Sequence, residues 1–406
     1  MTATAVGFDP FEPGFDAWPY DQYRRLREAE PVHWSELLSG WVLTRFEDVS
    51  SVLRDHSVSS DLDRAKPSPV VDLLRARSAR NAAQRDGMTL VLMDDPQHAR
   101  IRKLMHAPFT ARSIEELRDS VQDRVDAHLT RLAPKGQAEL IADFAYPLPV
   151  EVFCDMLGVP AEEGPRFRAW TAAVARSLDL VISEEDYDAC MVLLEEMQEY
   201  LSDAANTKRA APSTDVLSRL LTAEVDGEGF THAELVPQLI TLYVAGHEPT
   251  TALIGNGLVA LFQHPEQLAA LQADPSLVPQ AVLEMLRYDG PNQFVRRVAT
   301  TEMEIGGRTI ADGDVLYLCV GAANHDPDQW GADADRLRID RPDAGMHVQF
   351  GGGIHHCLGA HLARLQAEVA LTSLLTRLPH LRPGGEPTWA GRTTLRSVST
   401  VPIAYG

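Results

Sequence analysis

The sequence predicts a mostly α-helical single domain with a small β-rich part, and three observations carry that prediction. Apolar residues recur at helical spacing through most of the chain. Strand-like alternation is confined to two short regions, and no linker, repeat or low-complexity stretch divides the rest. With 406 residues, 45% of them hydrophobic, such a chain buries about three-quarters of its unfolded surface and needs no staples. Its 27 Gly, 26 Pro and four Cys exclude collagenous, low-complexity and disulfide-framework classes.

The elements follow in order. Residues 19–30 (PYDQYRRLREAE) form an amphipathic helix, strand-like stretches follow at 32–34 and 41–45, and 46–56 form a short helix. Between 57 and 93 the periodicity is lost around Pro67, Pro69 and Gly87, so this segment is expected to be a long irregular loop. Helices return at 96–106, 113–133, 147–158, 163–180 and 185–207. The longest spans 231–264, and its apolar middle predicts burial along most of its length. Another helix covers 278–288, small strands around a Gly-Gly turn cover 294–320, and a last long helix covers 358–378.

Charge narrows the function. Lys and Arg number 37 against 58 Asp and Glu, a net −21, the wrong sign for a general nucleic-acid or anionic-membrane binder. The opening MTATAVGFDPFEPGF lacks a basic region followed by an apolar one, and no uninterrupted apolar run reaches about 18 residues. Cys154, Cys190, Cys319 and Cys357 lie far apart without a CxxC pair, which points to a reducing cytoplasm and no structural zinc.

The chemistry concentrates at residues 350–359, FGGGIHHCLG. Three glycines make a tight backbone that can approach a flat ligand, and Cys357 sits immediately before a long helix. Amide groups at a helix N-terminus favour a thiolate, which would serve as a metal ligand or a nucleophile. An inert buried Cys is the bland alternative. Zinc is another, with His347, His355 and His356 near but without the ligand spacing zinc needs. Glu284 and Arg287 in EMLR share one helix face, by themselves an ordinary ion pair. His98 and Arg102 stand four apart in DPQHARIR and share a face as well.

FGGGIHHCLG matches the haem-binding signature of the cytochrome P-450 superfamily, and three further motifs fall in the family's order along essentially the whole chain. The chain is identified on these residues as resembling the soluble bacterial members. The resemblance implies the P-450 fold and a haem b (iron protoporphyrin IX) with Cys357 as axial metal ligand. Phe350, Gly351 and Gly359 would belong to the same haem loop, and His355 would reach a propionate. His98, Arg102 and Arg297 would also hold propionates. Glu284, Arg287 and Arg341, the last in RIDRPD, would brace the proximal side.

In the central helix, residues 245–251 read AGHEPTT against the family's A-G-x-[DE]-T-T. Ala245 and Gly246 would let the helix lie over the haem, and Glu248 would deliver protons to dioxygen. The family's alcohol position is Pro249, which has neither N–H nor hydroxyl; Thr250 could hold a water but is turned about 100° around the helix. Two readings stay open: a tolerated kink with water in place of the alcohol, or a departure in which either proton delivery depends on the substrate's own polar groups or the oxidant abstracts hydrogen from a substrate X–H and leads to coupling.

Substrate-facing positions by resemblance are Met88, Val91, Leu92, Thr241, Leu242, Gln293, Phe294 and Val295. Arg64, Lys66, Arg75, Arg77, Arg80 and Arg85 make the 57–93 segment basic, either as a solvated face or as a receptor for an anionic substrate or carrier protein. No dinucleotide fingerprint appears, so electrons are expected from NAD(P)H through a separate reductase and ferredoxin, with O2 as co-substrate. Arg100, Lys103, Arg112 and Arg364 form the expected docking spot. A cytoplasmic monomeric monooxygenase of a medium-sized natural product follows, by hydroxylation or C–C or C–N coupling. A haem-dependent isomerase or dehydratase and a haem sensor or carrier are the alternatives.

Overall fold

The structure is a computed structural model that describes residues 7–80, 88–177, 179 and 182–406. Its centre is the helix His232–Gln263, opened by a capping box in which Thr231 and Glu234 satisfy each other's backbone N–H groups. The helices Pro147–Leu157, Glu184–Ala210, Val278–Asp289 and Ala360–Arg377 pack around it. Its side chains are buried nearly all round, as the largely apolar stretch after Leu235 requires. Two prolines, Pro237 and Pro249, sit inside this helix without ending it.

The β-rich part is a five-stranded sheet. Val32–Ser35 and Gly40–Leu43 form an antiparallel pair, and Gly40–Leu43 runs parallel to Val315–Cys319. Val315–Cys319, buried at all five positions, pairs antiparallel with Phe294–Ala299, and Val58–Ser59 closes the order. One face of the sheet packs on the N-terminal segment through Phe8, Phe15 and Tyr23, the other on Val49, Val52 and Val348. The expected Gly-Gly turn joins Met303–Ile305 to Arg308–Ile310, with Gly306 and Gly307 both at positive φ, as a two-residue hairpin demands. Among the described residues no helix is long and apolar enough to cross a membrane.

One expectation fails. The supposedly irregular stretch 57–93 contains the helix Pro69–Arg80, besides the short strand Val58–Ser59. Only Val71 and Arg77 of that helix are buried, so its sequence carries no apolar stripe to betray it. The expected 113–133 helix is split, into Ala111–Glu115 and Arg118–Leu132. The C-terminal strands Thr388–Trp389 and Val398–Thr400 pass unnoticed in the sequence because they are two and three residues long.

The deepest polar cluster is the one expected from EMLR and RIDRPD. Glu284 and Arg287 are wholly buried and bonded at both carboxylate oxygens, 2.8 Å each. Arg341 Nε reaches the same carboxylate at 3.2 Å, and the backbone N–H of Arg338 adds a fourth bond at 3.0 Å. Arg287 also donates to the carbonyls of Asn324, Ala334 and Arg336. A buried charge so fully bonded is expensive to break from one side. Glu284→Ala is expected to lower unfolding free energy by about 3–5 kcal/mol in denaturant titration. Asp126→Ala, which breaks the exposed pair with Arg377, should cost less than about 1 kcal/mol.

Candidate active site

The loop before Cys357 is held from the Glu284 cluster outward. Asn324, whose carbonyl binds Arg287, accepts the Val348 N–H on its side-chain oxygen at 3.0 Å. Gln349 then ties to the backbone of Asn292 at both ends of its amide. Gly351 and Gly353 adopt positive φ, and a Cβ on Gly353 would come 2.6 Å from the Leu53 carbonyl. The turn closes where the Cys357 N–H donates to the Phe350 carbonyl at 2.8 Å. Phe350 is half-buried against the main core, its ring 5.3 Å from that of His347.

Cys357 is open to a water-sized probe, unlike Cys154, Cys190 and Cys319, which are buried. Enclosing protein nonetheless pushes its thiol pKa up, and the Gly359 N–H and the Arg102 charge offset this only in part. The sequence-based expectation of a thiolate favoured by the helix terminus alone is therefore corrected: burial outweighs the amides, and the thiolate needs a cation before it.

Around this loop lie cationic and imidazole groups short of partners. His98 is buried with neither ring nitrogen in a hydrogen bond, its Nδ1 lying 3.5 Å from the Asp95 carboxylate and its Nε2 without any partner. Arg297 is buried and donates only to the Arg296 carbonyl at 2.8 Å; burial lowers its pKa to about 10. Arg102 donates to the His356 carbonyl at 2.6 Å, bracing the cysteine loop. His355 shares a 2.9 Å hydrogen bond with Ser60 Oγ, and its ring lies 4.5 Å from that of His98. Arg297 and His355 line a cavity of about 270 Å³ with Arg54, His56, Arg64 and Asp94. Sequence reasoning missed Ser60 and Asp94, because neither stands in a motif.

In the central helix, Ala245 is exposed although its neighbours on either side are buried or half-buried. Gly246 serves another purpose than the expected one: a Cβ there would come 2.0 Å from the ring of Phe153, so the glycine admits the helix Pro147–Leu157. Thr250 is buried and donates its hydroxyl to the Gly246 carbonyl at 3.0 Å. Glu248 accepts from Arg392 at 3.0 Å and lies 3.4 Å from His247 Nε2. Burial alone would raise its pKa, but His247 and Arg392 together bring it below the usual value. Arg392 was invisible in the sequence, since nothing in AGRTT distinguishes it from a surface residue.

The expected substrate positions divide. Met88 and Leu242 pack on the main core, Thr241 bonds back to the Pro237 carbonyl, Val91 is exposed and Leu92 is half-buried. Gln293 and Phe294 are corrected: Gln293 is buried and donates to the Gly290 carbonyl and Tyr20, and Phe294 stacks edge-on with Phe8 and Tyr23. Both face the N-terminal segment. Val295 packs on the opposite face of the sheet.

The basic stretch is not free either. Arg75 donates to the carbonyls of Leu62, Asp63 and Ala65; Arg77 and Arg80 pair with Glu184. Lys66 pairs with Asp314 and Arg64 with Asp94, while Arg85 lies outside the described residues. Of the docking spot, Arg100 is bound to Glu234, whereas Lys103 and Arg112 are exposed and Arg364 is half-exposed.

An open cysteine, a buried imidazole without a hydrogen bond, a buried guanidinium that donates only to its neighbour's carbonyl and an exposed alanine on the central helix fit a flat metal macrocycle with anionic side chains. The cytochrome P450 family model matches residues 49–393, and the chain belongs to that family. It is 37% identical over 401 residues to the cytochrome P450 monooxygenase PikC of Streptomyces venezuelae, covering 96% of this chain and 92% of that one. It is 31% identical to the polyketide biosynthesis cytochrome P450 PksS of Bacillus subtilis, covering 98% of each. P450BioI, solved with an acyl carrier protein bearing hexadec-9Z-enoic acid, superposes with a TM-score of 0.90 at 31% identity, covering 99% of this chain and all of that one. Family membership brings haem and dioxygen use with it, in an oxidoreductase whose bacterial relatives serve secondary metabolism.

His347 gives a pH test of the loop. Its Nδ1 accepts the Gln349 N–H at 3.2 Å, and burial, reinforced by the Arg364 charge, lowers its pKa from 6.5 to about 4. The unfolded chain therefore binds a proton that the folded one refuses, and stability falls as pH drops from about 6.5 towards 4. His347→Gln is expected to remove up to about 3 kcal/mol of that slope in denaturant titrations across the window.

Proposed function

We propose that this chain is a haem-thiolate monooxygenase that oxidises a medium-sized natural product, by C–H hydroxylation or by oxidative C–C or C–N coupling. The observation that supports it best is the open Cys357, together with a buried His98 that makes no hydrogen bond and a buried Arg297 that donates only to the Arg296 carbonyl. In this reading Cys357 would be the thiolate ligand of the iron, and His98, Arg102, Arg297 and His355 would hold the propionates. Phe350, Gly351 and Gly359 shape the loop, and Ala245 and Gly246 belong to the helix above. Haem bound there supplies dioxygen activation at iron, with thiolate ligation favouring O–O cleavage.

The chain's own part is binding, exclusion of water and proton supply. Glu248 is the proton-carrying residue, since Pro249 has no hydroxyl and that of Thr250 is already bonded to Gly246. A relay that uses the substrate's polar groups follows from the same shortage. The whole chain would act as one P450 domain in the cytoplasm, receiving electrons from NAD(P)H through a separate reductase and an acidic ferredoxin. The substrate class rests on PksS, whose name places it in polyketide biosynthesis. Because the described arginines of the Pro69–Arg80 helix are already paired, that helix gives no support to an anionic carrier docking there.

Reduced with dithionite under carbon monoxide, the purified protein should show the red-shifted Soret band of thiolate ligation. Cys357→His should abolish it, and Cys154→Ser, Cys190→Ser and Cys319→Ser should not. A band that survives in Cys357→His overturns the reading. Reductant consumed with substrate, ferredoxin and reductase separates a monooxygenase from an isomerase, which needs none. For the electron partner, replacing Lys103 and Arg112 together by Gln should slow ferrous formation several-fold at low salt and flatten its salt dependence, with ligand affinity unchanged.

A further inference from the structure

His247 is buried, and its hydrogen bonding leaves one ring nitrogen to be explained. Nδ1 lies 2.8 Å from the Tyr243 carbonyl, which can only accept, so Nδ1 carries a proton. In a neutral ring Nε2 would then be a bare acceptor. It has no hydrogen-bond partner, and the ionisable atom facing it is Glu248 Oε1 at 3.4 Å. An Nε2 lone pair this near a carboxylate oxygen in a buried site repels it, whereas an N–H there is attracted. Arg392 holds the other carboxylate oxygen at 3.0 Å and keeps Glu248 ionised. A proton on Nε2 would complete the pair.

The surrounding charges support that placement. Besides Glu248 and Arg392, the groups near the pair are Tyr146, Arg168 and Asp179. The Tyr146 ring stands edge-on to His247 at 5.4 Å, but its hydroxyl bonds Thr171 and burial raises its pKa to about 12, so it stays neutral. Arg168 lies over the other partner of that contact, 4.5 Å from the Tyr146 ring centre. Asp179 feels Arg392 and is bonded to Arg176.

We infer that His247 is a positioning residue that stores the proton Glu248 delivers, in place of the hydroxyl that Pro249 lacks. The inference rests on the proposed monooxygenase reading, in which Glu248 carries the proton. In the transfer the Nε2–H bond of His247 breaks and an O–H bond forms on Glu248 Oε1. An imidazolium and a carboxylate become a neutral imidazole and a carboxylic acid, with no change in total charge. Glu248 then turns from Arg392 and gives that proton to the cavity. Afterwards a hydronium or buffer acid recharges the pair through Glu248 and Arg392, whose side chains are both partly open to solvent. A proton held behind the carboxylate remains available when substrate closes the cavity.

The test uses holoenzyme labelled with ¹⁵N-histidine, in the diamagnetic ferrous carbonyl form, whose absorption band also reports thiolate ligation. His247, assigned by the signal lost in His247→Gln, should show both ring nitrogens protonated at pH 7. In Glu248→Gln the same ring should be a neutral imidazole, a change that a purely structural histidine would not make. Under turnover, His247→Gln should lower the product formed per reductant consumed by about tenfold or more, while keeping the carbonyl band. A neutral His247 in the unmodified protein, an ionisation indifferent to Glu248→Gln, or unchanged coupling in His247→Gln would each overturn the inference. Loss of the red-shifted band in the unmodified protein would instead overturn the haem-thiolate reading.

Discussion

The carboxylate of Glu284 is the group on which the rest of the proximal half depends. It has no contact with solvent, and four donors from three residues converge on it. A buried anion is tolerated only when each lone pair is used, so Arg287, Arg338 and Arg341 have little freedom to move. Arg287 passes the constraint on to Asn324, and Asn324 to the backbone of Val348, where the cysteine loop begins. The position of Cys357 is thus set from an ion pair that never touches it. Such a cluster contributes less to net stability than to uniqueness, because its members cannot be satisfied in any other arrangement.

Opposite that rigid frame stands a site whose polar groups are deliberately incomplete. Most buried polar atoms in folded proteins have partners, so an imidazole with both nitrogens unbonded and a guanidinium with only a neighbouring carbonyl indicate a missing anion. The cysteine tells the same story with the opposite sign. Burial makes its thiolate costly, and a metal cation is what removes the cost. Two electrostatic shortages, one of negative and one of positive charge, would be met in the proposed reading by one ligand that carries both.

The central helix shows how a local break in a pattern is contained. Pro249 cannot donate to the Ala245 carbonyl, yet the helix continues, because packing on both sides holds its ends in line. Gly246 lets Phe153 press against the backbone one residue beyond Ala245, and Thr250 returns its hydroxyl to the Gly246 carbonyl. Glu248, one residue before the proline, is held by an arginine from a loop more than a hundred residues away.

The sequence by itself determined the helical class, the long buried helix and the cysteine loop. These depend on spacing and on glycine, which act within a few residues. It also marked Glu284, Arg287 and Arg341 by motif, and the folded chain brings all three together. The helix Pro69–Arg80 escaped notice because a helix held by arginine contacts has no apolar period. Only the tertiary structure decided that Gln293 and Phe294 turn to the N-terminal segment, that the basic stretch is already neutralised by partners, and that Arg392 reaches Glu248. Each of these is a contact between residues distant in the chain, and local pattern carries no record of which distant charge or ring will arrive.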